Sequence, residues 1–232
     1  MTTRETTVML MAAGRGERMR PLTDVTPKAL LQAGRHRLIE YHLMNLSRSG
    51  FTRIVINLAH LGDRIEQALG DGRHYGVHIT YSREGPRGLE TGGGIYHALT
   101  QLGQAPFLVV NADIYTDIPF DQLPARFTGP KAHLVLVDNP AHHPDGDFAL
   151  QDGRVFNHGR PRLTYSGIGM YHPDLFSDCR AGVFPLAPLL RRACDEGSVS
   201  GEYYAGTWID VGTPERLGEL DRRLKGGGQA RS

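Results

Sequence analysis

The 232-residue chain has no hydrophobic run long enough to cross a bilayer. Its opening MTTRETTVMLMAAG has too short an apolar stretch for a secretory signal, and Glu5 stands where a positive region would be expected. Cysteine is nearly absent. Cys179 and Cys194 lie in no metal-ligand spacing and are expected as packing residues in a reducing cytoplasm. Net charge is also almost missing, +1 from 26 basic and 25 acidic side chains, which excludes the broad basic face of a nucleic-acid or membrane-surface binder. No Pro/Ser-rich linker divides the chain, and 40% hydrophobic with 22% charged residues is a globular composition rather than a disordered or fibrous one. One domain is expected, burying roughly 70–75% of the unfolded surface.

What is present is alternation. TVMLMAAG reads as a short buried strand that stops at Gly14, and Leu38, Ile39, His42, Leu43 and Leu46 fall on one helical face ended by Gly50. FTRIVIN, VHITYS and FLVVNAD read as further strands, separated by helices over LGDRIEQALG and IYHALTQLG. Strand and helix in strict turn imply an α/β fold with a parallel sheet. The later half changes character: HLVLVDNP, DFALQDGRVFN and LTYSGIGMYH read as strands, with the Asp152-Gly153 pair marking a hairpin. A helix over LAPLLRRACDEG, a strand ending in WIDVG and a helix over PERLGELDRRL follow. A nucleotide-binding half over about 6–125 and an acceptor half over about 126–225 would share one sheet, with residues 226–232 a disordered tail.

The densest signal is MAAGRGERMRPLTDVTPK, residues 11–28. It follows the first strand, so it lies in the crevice beyond a strand's carboxyl end, where open α/β sheets bind ligands. Glycines let backbone N–H groups approach an anion, and Arg15, Arg18, Arg20 and Lys28 add full charges; a polyphosphate fits. The dinucleotide fingerprint fails because its third glycine is Met19, and the P-loop fails because no Gly-Lys-Ser/Thr follows. A dinucleotide-dependent oxidoreductase is disfavoured on the same ground.

The stretch AAGRGERMRPLTDVTPK resembles the signature of sugar-1-phosphate nucleotidyltransferases, which join a nucleoside triphosphate to a sugar phosphate and release pyrophosphate. The resemblance implies a single-domain Rossmann-like fold of the GT-A type, a mixed, mainly parallel sheet flanked by helices. It also implies roles for residues. Ala12, Ala13 and Gly14 would meet base and ribose; Gly16 and Arg18 would serve the β- and γ-phosphates, with Glu17 also in the nucleotide site; Lys28 would serve the α-phosphate. Asp113 would hold Mg²⁺, with Asp210 of WIDVGTPERL as the second carboxylate. In LETGGGI, Gly92 and Gly93 would offer backbone to a pyrimidine while Glu90 or Thr91 fixes its edge.

DNPAHHPDGDFAL, LETGGGI and SGIGMYH together resemble the subgroup that uridylylates N-acetylmuramic acid 1-phosphate in bacterial cell-wall recycling. On that footing Gly146 lies against the sugar, Asn111 lies near ribose or sugar, and Asp147 and Glu202 are further acceptor-side candidates. His142 and His143 would suit a lactyl carboxylate, or form an ordinary polar loop. The partners implied are UTP and a sugar 1-phosphate, acting on a monomer or homodimer. The rivals are a mannose-1-phosphate guanylyltransferase, a glucose-1-phosphate thymidylyltransferase, and a catalytically silent module that senses sugar nucleotides.

Overall fold

The computed structural model describes residues 4–123 and 129–226. In chain order the first half holds β1 (Val8–Met11), a small ribbon of β2 (Gln32–Ala33) and β3 (His36–Arg37), α1 (Leu38–Arg48), β4 (Arg53–Leu58), α2 (Gly62–Leu69), β5 (His78–Arg83), α3 (Glu90–Leu102), β6 (Phe107–Asn111) and β7 (Ile114–Thr116). The second half holds β8 (Ala132–Val137), β9 (Phe148–Gln151), β10 (Arg154–Phe156), β11 (Arg162–Tyr171), α4 (Ala187–Asp195), β12 (Val199–Tyr203), β13 (Trp208–Asp210) and α5 (Pro214–Gly226).

Nine strands form one sheet in the order β5-β4-β1-β6-β11-β8-β12-β10-β9. The first four are mutually parallel, as the alternation of strands and helices predicts. Their side chains divide by period two between two cores: Leu10, Ile56 and Val110 pack on one face, and Met9, Val55 and Val109 on the other. Burial on both faces is why these strands read as unbroken hydrophobic runs.

β11 then runs antiparallel to both β6 and β8, which restores the common direction for β8 and for its parallel neighbour β12. β9 pairs with β10 and also with the start of β11, so the second half curls back on itself. The turn between β9 and β10 is the predicted hairpin, with Asp152 at φ 50° and Gly153 at φ 74°, the paired positive angles a tight type I′ turn needs. Because β1, β6, β8 and β12 point the same way, the loops that follow them share one edge of the sheet.

Three expectations change. β12 is added to the predicted strands; VSGEY buries only Val199 and Gly201 and so carries little hydrophobic pattern. Gly201 is there for proximity: a methyl at that position would stand 2.8 Å from the Leu134 carbonyl on β8. α3 begins at Glu90 rather than after the glycines, and α5 continues through Gly226. The rest of the expected tail, and the expected border between halves near residue 125, lie outside the described residues. Among the described residues no helix is long and apolar enough to cross a membrane.

Candidate active site

A cleft of about 310 Å³ opens at the carboxyl ends of β1 and β6, with Ala12, Ala13 and Gly14 on one wall and Gly88 to Thr91 on another. Three successive loops are tied together beneath it. The Ala12 N–H donates to Asn57 Oδ1 (2.6 Å), Asn57 Nδ2 donates to Glu84 Oε1 (2.6 Å), and the Leu89 N–H donates to Glu84 Oε2 (2.8 Å). Burial raises the Glu84 carboxyl above its ordinary pKa, against the lowering effect of its two donors. Neither Asn57 nor Glu84 stands out in the sequence. The one trace is a glycine, since a methyl at Gly94 would collide with the Glu84 carboxylate.

The signature loop is shaped by its second glycine. Gly16 sits at φ 63°, and a methyl there would come within 2.9 Å of Thr23 Cγ2 and 3.2 Å of Lys28 Cβ. The Thr23 hydroxyl donates to the Gly16 carbonyl (2.8 Å), and Met19 is fully buried, so the loop folds down onto Lys28. Gly16, Glu17 and Arg18 consequently stand outside the lining of the cleft, whereas Arg15 and Lys28 are part of it. Arg18 points the other way, its Nη2 3.1 Å from where a Gly212 methyl would be, on the side of Asp210.

Asp113 lies at the floor of this cleft, and Asp210 comes near it through the backbone. Lys28, almost buried, places Nζ 2.5 Å from Asp113 Oδ2. The ribbon of β7 and β13 sets Asp210 opposite Ile114, and the Val211 N–H donates to the Asp113 carbonyl (3.0 Å). Asp113, in the turn between β6 and β7, and Asp210, at the end of β13, are thus backbone neighbours whose carboxylates face different partners. Asp210 Oδ2 accepts from Arg216 Nη1 at 2.6 Å and lies 3.1 Å from His142 Nε2. It lines a second cleft of about 370 Å³, walled by Trp208, Tyr204, Asn139 and Pro140 at the ends of β8 and β12.

No group of three or more Asp, Glu, His or Cys side chains gathers among the described residues. That suits Mg²⁺, which binds through one or two carboxylates and keeps its other positions for water and substrate phosphate oxygens. Two aspartates on neighbouring backbone segments, one lining each cleft, fit that requirement.

Other expected residues divide. Asn111, Glu90 and Thr91 line the first cleft. Glu90 does so at φ 58°, a strained angle for a side-chain-bearing residue and one that clusters at functional sites. Asn111 packs onto Gly167, where φ is 78° and a methyl would meet its amide; the pairing of β11 with β8 shifts register at this point. Gly92 and Gly93 do not line the cleft as Glu90 and Thr91 do. They are buried in α3, where a methyl at Gly92 would strike Phe184 and the Gly93 N–H donates to the Phe184 carbonyl (3.0 Å). Gly88, at φ 69° on the cleft wall, is the glycine that leaves space there.

Gly146 and Asp147 are also framework residues. Gly146 faces Asn139 and the Arg162–Leu163 backbone, and Asp147 accepts from the Tyr165 N–H (2.8 Å) while lying 3.1 Å from His143. Glu202 lies 3.6 Å from His133 and lines neither cleft. Of the two histidines, only His142 reaches the second cleft.

Residues 7–148 match the family described as nucleotidyl transferase. The chain belongs to this family. It is 52% identical over 222 residues to the N-acetylmuramate alpha-1-phosphate uridylyltransferase of Neisseria meningitidis serogroup B, covering 91% of this chain and 95% of that one. The Caulobacter vibrioides protein of the same name is 33% identical, covering 93% and 96%. Among solved structures, HddC from Yersinia pseudotuberculosis superposes with a TM-score of 0.79 at 19% identity, covering 95% of this chain and 100% of that one. This likeness carries the fold, and the family's match spans the first cleft from β1 through Asp113.

Proposed function

We propose that the protein transfers a uridylyl group from UTP to N-acetylmuramic acid α-1-phosphate, giving UDP-N-acetylmuramic acid and pyrophosphate in cell-wall recycling. The observation that carries the reaction type is the placement of Lys28 against Asp113 at the floor of a cleft walled by the Ala12–Gly14 loop. The acceptor follows the 52% identical relative.

In this reading an oxygen of the sugar phosphate attacks the α-phosphorus of UTP. The new O–P bond forms as the bond to the β-phosphate's bridging oxygen breaks, and pyrophosphate leaves with that electron pair. The attacking phosphate is already an anion at neutral pH, so no side chain need remove a proton. Lys28 holds the α-phosphate, and Arg15 and Arg18 approach the leaving group from the cleft wall and from the Asp210 side. Held by Asp113 and Asp210, Mg²⁺ would neutralise the charge spread over the reacting phosphates. The network of Asn57 and Glu84 fixes the loop that receives base and ribose. The free thiols of Cys179 and Cys194 support a cytoplasmic setting.

Pyrophosphate release with Mg²⁺, measured for UTP, dTTP, GTP, CTP and ATP against N-acetylmuramic acid, N-acetylglucosamine, glucose and mannose 1-phosphates, tests the reading. Release concentrated in the UTP and muramic acid pair is the expected result. A different preferred pair removes the cell-wall assignment while keeping the chemistry, and silence throughout removes both.

A further inference from the structure

N-acetylmuramic acid 1-phosphate differs from N-acetylglucosamine 1-phosphate only by a lactyl ether, whose carboxylate is a second negative charge remote from the phosphate. An enzyme that selects the first must hold a cation where that group arrives. Resting on the acceptor reading above, we infer that Arg216, supported by His142, is the group that reads this carboxylate.

The second cleft opens beside Asp210 at the same sheet edge as the first, so an acceptor whose phosphate reaches the two aspartates extends its sugar into it. Pro140, Trp208 and Ile209 give it an apolar side, Arg216 is its cation, and His142 adds an imidazole. The Trp208 ring is fixed by its Nε1 donating to the Ser166 carbonyl (2.9 Å). Its acidic groups besides Asp210 are Asp138, which accepts from the Tyr203 hydroxyl, and Glu219, which is one turn along α5 from Arg216.

Arg216 is held in place without being used up. Its Nη1 donates to Asp210 Oδ2 (2.6 Å) and lies 2.8 Å from His142 Nε2, whereas Nε and Nη2, the latter lying against Gly212 beside Arg18 Nη2, make no hydrogen bond among the described residues and keep donors for another anion. A guanidinium offers paired donors in the plane that a carboxylate accepts, which an ammonium cannot. α5 anchors the base of the side chain, since Leu217 and Leu220 are buried in the turn that follows Arg216. His142, on the loop after β8, lies 3.1 Å from the same Asp210 oxygen and 2.8 Å from Arg216 Nη1, so its ring packs beside the guanidinium on the wall of the cleft.

The test compares kcat/KM for the two acceptors, with UTP saturating, in the wild type and in Arg216→Gln, Arg216→Lys and His142→Ala. Calorimetric binding of both acceptors to each protein is measured alongside. The wild type tests the acceptor reading by itself: failure to prefer the muramic acid phosphate overturns that reading and this inference together. Given that preference, Arg216→Gln is expected to lower the ratio between the acceptors by on the order of 10- to 100-fold, the effect of a lost charge-assisted hydrogen bond. Arg216→Lys should fall between, and His142→Ala should shift the ratio in the same direction by less. If Arg216→Gln lowers both acceptors by one factor and their binding ratio stays fixed, Arg216 merely supports Asp210, and the inference fails while the acceptor reading stands. Arg216→Lys keeps charge and length, so its acceptor ratio decides the matter if the glutamine variant does not fold.

Discussion

Lys28 and Arg216 each close an aspartate at the same edge of the sheet, yet the two pairs are built in opposite ways. Lys28 reaches Asp113 across 85 residues of chain, with its side chain 10% exposed against 40% for the carboxylate. Arg216 is six residues from Asp210, and the partners are comparably covered at 18% and 21%. The first pair exists only when β1, its loop and β6 are all in place. The second is carried by one short ribbon and the helix after it. A preset cation on the nucleotide side and a locally held one on the acceptor side match what each must do: the triphosphate is common to many enzymes, whereas the acceptor must be chosen.

The strongest way to break that comparison is to remove the preset charge. Lys28→Ala is expected to lower kcat/KM by on the order of 10²–10³, the usual cost of losing one preorganised electrostatic group. Asp113 is partly exposed and can be solvated once its partner is gone, so folding should survive. A thermal melt separates the two effects: a collapse of the melting temperature together with activity would make Lys28 structural.

Asn57 offers the next largest effect. Asn57→Ala leaves the Ala12 N–H and a Glu84 oxygen without partners in a buried place, and each orphaned group costs about 1–3 kcal/mol. The expected outcome is a lower urea midpoint and a raised KM for UTP, with the preference between acceptors unchanged. A change in that preference instead would mean that the two clefts are not separable as drawn.

Gly167→Ala probes the seam between the halves. The residue sits at φ 78°, and its methyl would displace the Asn111 amide from the cleft lining. A destabilisation of about 1–3 kcal/mol is expected from the backbone alone. Both substrates should bind less well, because Asn111 stands where the halves adjoin; unchanged KM values for both would take Asn111 out of the site.

The nucleotide side is legible in the sequence because its chemistry is contiguous. Residues 12–28 carry the glycines, arginines and lysine of one loop, and local spacing suffices to reject other phosphate sites. Even there, spacing says which residues matter better than where they point. Met19 is buried and the turn folds inward, so Gly16 and Arg18 stand outside the lining of the cleft. Gly92 and Gly93 look like exposed loop glycines and are helix-packing ones, because nothing in LETGGGI reveals that Phe184 will sit against them. The acceptor side is much less legible. Arg216, His142, Trp208 and Tyr204 come from three segments that only the sheet brings together, and β12 has too little hydrophobic pattern to announce its place.

A histidine on each side sharpens the contrast at smallest effect. His142 beside Asp210 is 41% exposed, whereas His42 in α1 is buried under the strand that follows Asp113. His42 Nε2 lies 2.8 Å from the Ile114 carbonyl, an acceptor only, so that nitrogen carries a proton. Burial pushes its pKa down to about 4, against smaller raising effects from that carbonyl and from Asp113. The unfolded chain binds a proton at this ring below about pH 6.5 while the folded protein does not. Stability therefore rises with pH between about 4 and 6.5 and is lost as the pH falls through that window, by up to about 1.4 kcal/mol per pH unit and on the order of 3 kcal/mol in all. Urea unfolding at pH 7.5, 6.0 and 5.0 should show that decline, and His42→Gln should show a shallower one from a lower starting stability. Parallel declines in the two proteins would locate the acid sensitivity elsewhere, and an equal flattening from His142→Gln would remove the distinction between a buried nucleotide side and an accessible acceptor side.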